Sequence, residues 1–296
     1  MRISKIKVGY VVSYDYDLLL LSINQLYKNV DKIYIAIDKD RKTWSGNLFE
    51  IQDSFFAKIR QLDVSNKIEF YYDSFYVLSL SPSECETRER NMLLKKMRRG
   101  WLIQLDTDEY VYDFNKLSSY LNKYWYLTVF PKYTPIVFRG RLITLFKKIP
   151  EGYLYIDNDE KFSFITNIPN YEACRANKSI RNYFINCNVI HNSWGRTDDE
   201  LLIKIKNWGH RDDFDTQKFF EFWKKLNYLN YSSYKNFHPI VPEVWNQLYF
   251  IKSKSVEDFI SIYAQNNEQK LIGIKTAIAF KALFNKLNFF RKRKIK

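Results

Sequence analysis

The chain has 296 residues, with 47 Lys and Arg against 33 Asp and Glu and a formal charge of +14. Hydrophobic residues make up 46% and aromatics 18%, while Gly (8) and Pro (7) are scarce, which excludes a disordered, collagen-like or linker-like chain. Three cysteines without CxxC spacing (Cys85, Cys174, Cys187) exclude a disulfide scaffold and a zinc-finger cluster, and suit a reducing cytoplasm.

The opening MRISKIKVGYVVS has no apolar stretch long enough for a secretory leader, and no run in the chain is long enough to span a bilayer. Lys7 to Ser13 reads as a first strand, followed by a helix over Leu18 to Tyr27. Lys32 to Ile37 forms a second strand ending at Asp38, Phe49 to Leu62 a helix, and Lys67 to Tyr72 a third strand. Ser83 to Arg99 is a helix, with Ser83 and Glu86 in capping-box spacing and Gly100 as its stop. Trp101 to Leu105 is a fourth strand that runs into Asp106-Thr107-Asp108-Glu109. Strand and helix alternate four times, the pattern of a mainly parallel sheet with helices on both faces. Ligands bind such sheets outside the carboxyl ends of the strands. Acids stand there after the first strand (Asp15), the second (Asp38) and the fourth (Asp106, Asp108).

From Leu117 to Thr166 the reading is short strands: Tyr126 to Phe130, Ile136 to Phe138, Leu142 to Phe146 and Tyr153 to Ile156. They form an antiparallel or mixed extension of the sheet. Helices follow near 199–207, 215–229, 242–251, 255–265 and 268–290, so the expected division is an α/β domain over 1–198 and a helical region over 199–296. Residues 269–296 hold nine of the Lys and Arg and no acid, leaving 38 positives against 33 negatives, a net of +5, over the first 268. A basic amphipathic end of this kind suits an anionic membrane surface, or a helix docked on the body with a solvated tail.

Asp106 and Asp108, spaced by one residue after a strand, can present two carboxylates to one hard divalent cation, or form a solvated turn. The first reading is favoured by the strand before them and by the acids at the other strand ends. Gly209 to Asp213 brings a His and acids together, as a second site or as a helix cap. Trp223, Tyr228, Tyr231 and Tyr234 form either a sugar-stacking surface or core. No GxxxxGK[ST], GxGxxG, GxSxG or HExxH occurs, which argues against P-loop kinases, dinucleotide oxidoreductases, α/β-hydrolases and zincins.

Four segments carry a family resemblance: KVGYVVSYD, IAIDKDRKTWSG, ETRERNMLLKKMRRGWLIQLDTDEYV and HNSWGRTDDELLIKIKNWGH. With RGRLITLFKK, they resemble family 2 of the GT-A-fold glycosyltransferases, most closely the lipopolysaccharide-core β-glucosyltransferase type, over roughly residues 5–210. The resemblance implies transfer of a sugar, with inversion, from a nucleotide-sugar (a UDP-sugar on family frequency) to a glycan or glycolipid hydroxyl. It implies Mn²⁺ or Mg²⁺ as cofactor and a cytoplasmic protein, peripheral at the inner face of the membrane. It assigns Tyr14 or Asp15 to the nucleobase, Asp38 to base or ribose, Arg88 or Arg90 to the nucleotide, and Asp106 to ribose or metal. Asp108 would ligate the metal, Glu109 would be structural, His191 would be a further metal ligand, and Lys204 and Lys206 would neutralise the diphosphate. The family's acidic pair for the general base is missing at its place, which leaves Glu160 or Asp159 first and Glu172 second. The alternative is a nucleic-acid-binding protein using the basic tail and aromatics, which explains the charge but not the acids at the strand ends.

Overall fold

The computed structural model describes residues 4–207 and 213–274. The strands β1 (Ile6–Val12), β2 (Lys32–Asp38), β3 (Ile68–Asp73) and β4 (Trp101–Asp106) pair in parallel, with β1 between β2 and β4. Helices α1 (Leu19–Leu26), α2 (Asp53–Leu62) and α3 (Pro82–Met97) make the crossovers. Alternation along β1 sends Val8, Tyr10 and Val12 to a cluster with Ile23 of α1 and Phe55 of α2. Val11 faces the other way, to Leu93, Leu94 and Met97 of α3. The chain is thus α/β, with an open sheet flanked by helices on both faces.

The α3 boundary differs from the expected one. Ser81 is the N-cap in a reciprocal capping box with Glu84, and Pro82 opens the helix. Glu86 is therefore free to pair with Arg90 one turn on. The helix stops at Met97, where Arg98 takes φ 63. Gly100 is needed for another reason: a Cβ there would stand 2.4 Å from the Lys5 carbonyl oxygen.

Beyond β4 come the short β5 (Glu109–Val111) and α4 (Phe114–Lys123), a helix the strand reading of this region missed. Where a strand was expected over Tyr126 to Phe130, a 3₁₀ turn covers Trp125–Thr128. The expected short strands join into β6 (Ile136–Ile149) and β7 (Gly152–Thr166), a long antiparallel hairpin interrupted by register shifts. A further strand, β8 (Arg181–His191), lies parallel to β6 and antiparallel to β5. Among the described residues the sheet order is β3-β2-β1-β4-β7-β6-β8-β5, so it is mixed, as expected.

The segment after 198 contains α5 (Asp198–Asn207), α6 (Thr216–Lys225) and α7 (Val256–Asn266). Asp215 caps α6 by accepting from the Lys218 amide. The helix expected at 242–251 is instead a 3₁₀ turn (Pro242–Val244) and a strand, β9 (Tyr249–Ile251), that pairs with β7. Phe259, Ile260 and Tyr263 of α7 share a core with Tyr110, Ile143, Tyr153 and Ile190. Within the region after 198, β9 thus joins the sheet and α7 packs on it. Residues 268–274, expected to begin the basic helix, are not helical; the Ile272 amide donates to the Ile185 carbonyl and the Ile274 amide to the Tyr124 hydroxyl. The remainder of that segment and the Gly209–Asp212 cluster lie outside the described residues. Among the described residues, no helix is long and apolar enough to cross a membrane.

Candidate active site

A cavity of about 640 Å³ opens at the carboxyl ends of β1, β2 and β4, where a mainly parallel sheet offers its loops to a ligand. Its walls include Tyr14 and Asp15 after β1, Asp38, Arg90 of α3, Asp106, Asp108, Glu160 of β7, Arg175, His191 at the end of β8, and Lys204 of α5. Most of the residues singled out from the sequence therefore converge on one place.

The structure divides the two DxD carboxylates between different cations. Asp106 Oδ1 accepts from Arg90 Nη2 at 2.7 Å, and its Oδ2 lies 3.7 Å from Arg175. Burial opposes the charge of Asp106, but Arg90 and Arg175 overcome it and hold the carboxyl below its ordinary range. Asp108 Oδ2 accepts from Arg196 Nη2 at 2.5 Å and Lys204 Nζ at 3.0 Å. Burial again opposes ionisation, and Lys204, His191 and Arg196 hold this carboxyl well below the ordinary range.

Arg90 is buried, with Nε on Glu86 at 2.8 Å and its guanidinium 5.5 Å from the centre of the Trp44 ring. Its Nη1 is buried without a hydrogen-bond partner. Glu109 is buried and structural, as expected: it holds Arg175 on both oxygens, at 2.5 and 2.7 Å, and accepts the Asp106 amide at 3.0 Å. Arg175 and Arg196 were not found from the sequence. Both lie in loops, where no periodicity marks a side chain's direction; the only signal was Arg196 standing within the HNSWGRTDDE segment.

Several assignments change. Asp38 is buried, and its oxygens accept four backbone amides, from Asp40, Lys42, Phe75 and Tyr76. That uses the acceptor capacity of a carboxylate, so Asp38 fastens two loops instead of presenting itself to a ribose. Arg88 points away from the cavity and donates to the Ser74 and Phe75 carbonyls. Asp15 is paired with Arg196 at 3.1 Å. Burial pushes the Tyr14 hydroxyl upward, so it stays protonated on the cavity wall. Lys204 lines the cavity, whereas Lys206 is exposed and does not.

The three candidate bases separate as well. Asp159 is exposed, adopts φ 60, and pairs with Lys161 at 3.1 Å outside the cavity. Glu172 is exposed and accepts the amides of Lys178 and Ser179, closing a loop. Only Glu160 of the three lines the cavity, and its carboxyl has no hydrogen bond or ion pair among the described residues. Burial raises it above the ordinary carboxylate range.

Among the described residues, no group of three or more His, Cys, Asp or Glu stands together to hold a metal. A pair does. His191 Nε2 lies 3.5 Å from Asp108 Oδ1, the oxygen that Arg196 and Lys204 leave open. An imidazole nitrogen and a carboxylate oxygen at that spacing fit two positions around one ion bound at about 2.0–2.2 Å. Asp106 does not contribute, because its oxygens face arginines. Compared with family models and with curated proteins, the chain matches none.

Proposed function

We propose that the chain is a nucleotide-sugar-dependent glycosyltransferase of the GT-A type, acting on a hydroxyl of a glycan or glycolipid. The observation that carries this reading is the unpaired Glu160 carboxyl in the wall of the same cavity as the cations anchored on Asp106 and Asp108. A base with no partner and a set of fixed positive charges are the two parts that transfer from an anionic donor requires.

In this reading, the nucleobase lies by Tyr14 at the end of β1. Lys204 and Arg175 face the diphosphate. Glu160 takes the proton of the acceptor hydroxyl as that oxygen attacks the anomeric carbon. The bond from that carbon to the phosphate oxygen breaks, and its electron pair leaves with the nucleoside diphosphate. Attack opposite the leaving group inverts the anomeric centre. Asp108 and His191 would hold Mn²⁺ or Mg²⁺, which would supply neutralisation of the charge that develops on the diphosphate. UDP-sugars are the first donors to test, and the basic segment 269–296 would seat the protein at the inner face of a membrane, in the cytoplasm.

The test is calorimetric titration with UDP, GDP, CMP and dTDP, each with and without Mn²⁺, followed by hydrolysis assays on the matching nucleotide-sugars. Micromolar binding of one nucleotide and slow hydrolysis of its sugar are expected. No binding and no hydrolysis across the panel would sink the reading.

A further inference from the structure

We propose that Trp245 forms the floor of a subsite for the acceptor's sugar ring, on the side of the cavity away from the parallel strands. This inference rests on the glycosyltransferase reading and deepens it. Trp245 lines the cavity yet is only 5% exposed, and its indole Nε1 is buried with no hydrogen-bond partner among the described residues. An indole nitrogen can only donate, and buried donors are seldom left unmatched in native structures. A hydroxyl brought into the cavity can supply the matching acceptor atom.

The ring's position is fixed on every side. It packs edge-on against Phe146 at 5.5 Å and Trp194 at 6.2 Å. His238 meets it at 4.3 Å, and His238 Nδ1 accepts the amides of Ile240 and Val241, which places that ring's hydrogen on Nε2. The Trp245 carbonyl accepts the Phe237 amide at 3.1 Å. The connection to the base is direct: the Asn158 side-chain amide, two residues before Glu160, donates to the carbonyl of Val244. The β7 strand that carries Glu160 is therefore tied to the turn that carries Trp245.

An indole with one unmatched donor, in the wall of a cavity that also holds a carboxylate, matches the chemistry of a pyranose. One hydroxyl would accept from the indole, the sugar's C–H groups would meet the part of the indole left open to the cavity, and another hydroxyl would face the base. Simple methyl glycosides suffice to test this: methyl β-D-glucopyranoside and methyl β-D-galactopyranoside, followed by saturation-transfer NMR in the presence of UDP. At least one glycoside is expected to receive saturation from the native protein. Trp245→Phe keeps an aromatic ring and deletes the donor, so affinity for that glycoside should fall by at least about fivefold, the value of one hydrogen bond. Should this variant fold poorly, 5-fluorotryptophan incorporated in the native sequence gives a second readout. Its position-245 resonance should move on addition of glycoside in the presence of UDP.

If UDP binds but neither glycoside does, or if Trp245→Phe binds the glycoside as the native protein does, the subsite is overturned and the donor reading stands. If neither UDP nor the other nucleotides of the panel bind, both fall together.

Discussion

Arg196 Nη2 lies 2.5 Å from Asp108 and 3.1 Å from Asp15, so one guanidinium joins the loop after β1 to the loop after β4. All three groups are largely shielded from water. Removing one partner from such a cluster leaves charge without compensation. Arg196→Ala is expected to lower stability by about 3 kcal/mol in chemical denaturation, because Lys204 stays on Asp108 while Asp15 loses its cation. Adding Asp15→Asn to that variant should recover part of the loss, because it removes the carboxylate left without a cation. Two independent, additive losses would show that the groups are not coupled.

Glu160, the proposed base, gives the direct test of the proposed reaction. Glu160→Gln keeps the shape and removes the proton acceptor. Sugar transfer should drop by about 10²–10⁴-fold, while calorimetric nucleotide affinity stays near that of the native protein. Asp159→Asn and Glu172→Gln, both outside the cavity, should retain transfer. A silent Glu160→Gln would remove the base from this carboxyl.

Glu89 predicts a dependence on pH. Burial pushes its carboxyl up to about 8, and the Trp44 indole, which donates to it at 2.6 Å, and Arg90 offset that only in part. In the unfolded chain the group ionises near its ordinary 4.5, while the folded protein keeps the proton to about 8. Between those values the folded state binds more proton, so stability falls as pH rises and levels off above the upper one. Glu89→Gln keeps an acceptor for Trp44 and removes the titration. The variant's melting temperature should exceed that of the native protein by a margin that grows from about pH 5 to about pH 8. A margin constant across that range would contradict it.

Lys147 secures the aromatic wall from behind. Its ammonium donates to the carbonyls of Trp223, Lys224 and Leu226 at 2.7, 2.8 and 2.8 Å, closing the carboxyl end of α6. Lys147→Met fills the space but leaves those carbonyls unpaired. A loss of about 2–4 kcal/mol in thermal or chemical melts is expected, since each bare buried acceptor costs about 1–3 kcal/mol and water recovers part of it.

The first half of the sheet was legible because β1 and β2 are rich in β-branched residues, β4 is a short apolar run, and an acid ends or closely follows each. The same directness failed for β8, whose RNYFINCNVIH alternates Asn with apolar residues and so hides a strand in polar composition. The β6–β7 hairpin was read as fragments because Arg139, Arg141, Lys147 and Lys161 interrupt it. Those side chains are matched by partners distant in sequence, as Arg141 is by Asp157 and Lys147 by the end of α6. Within the site, Asp106, Asp108, Arg90, Glu160, His191 and Lys204 could be named from strand ends and motifs. Arg175 and Arg196 could not, since only the folded loops carry them to the acids. Asp38 misled for a related reason: a carboxylate at a strand end binds loop amides as readily as a ligand.

The β7 strand pairs with β4 through Ile165 and Thr166 and with β9 through Tyr153 to Tyr155, and Glu160 sits on the span between these two moorings. Folding itself therefore sets where the carboxyl stands, and in the proposed reaction it would need no further ordering. Under that reading the loop after β2, which carries Trp44, could vary with the donor without carrying the base along, whereas the turn of Trp245, tied to β7 through Asn158, would stay with it, so specificity could diverge on the donor flank while the reacting position and the opposite wall are held by the hairpin.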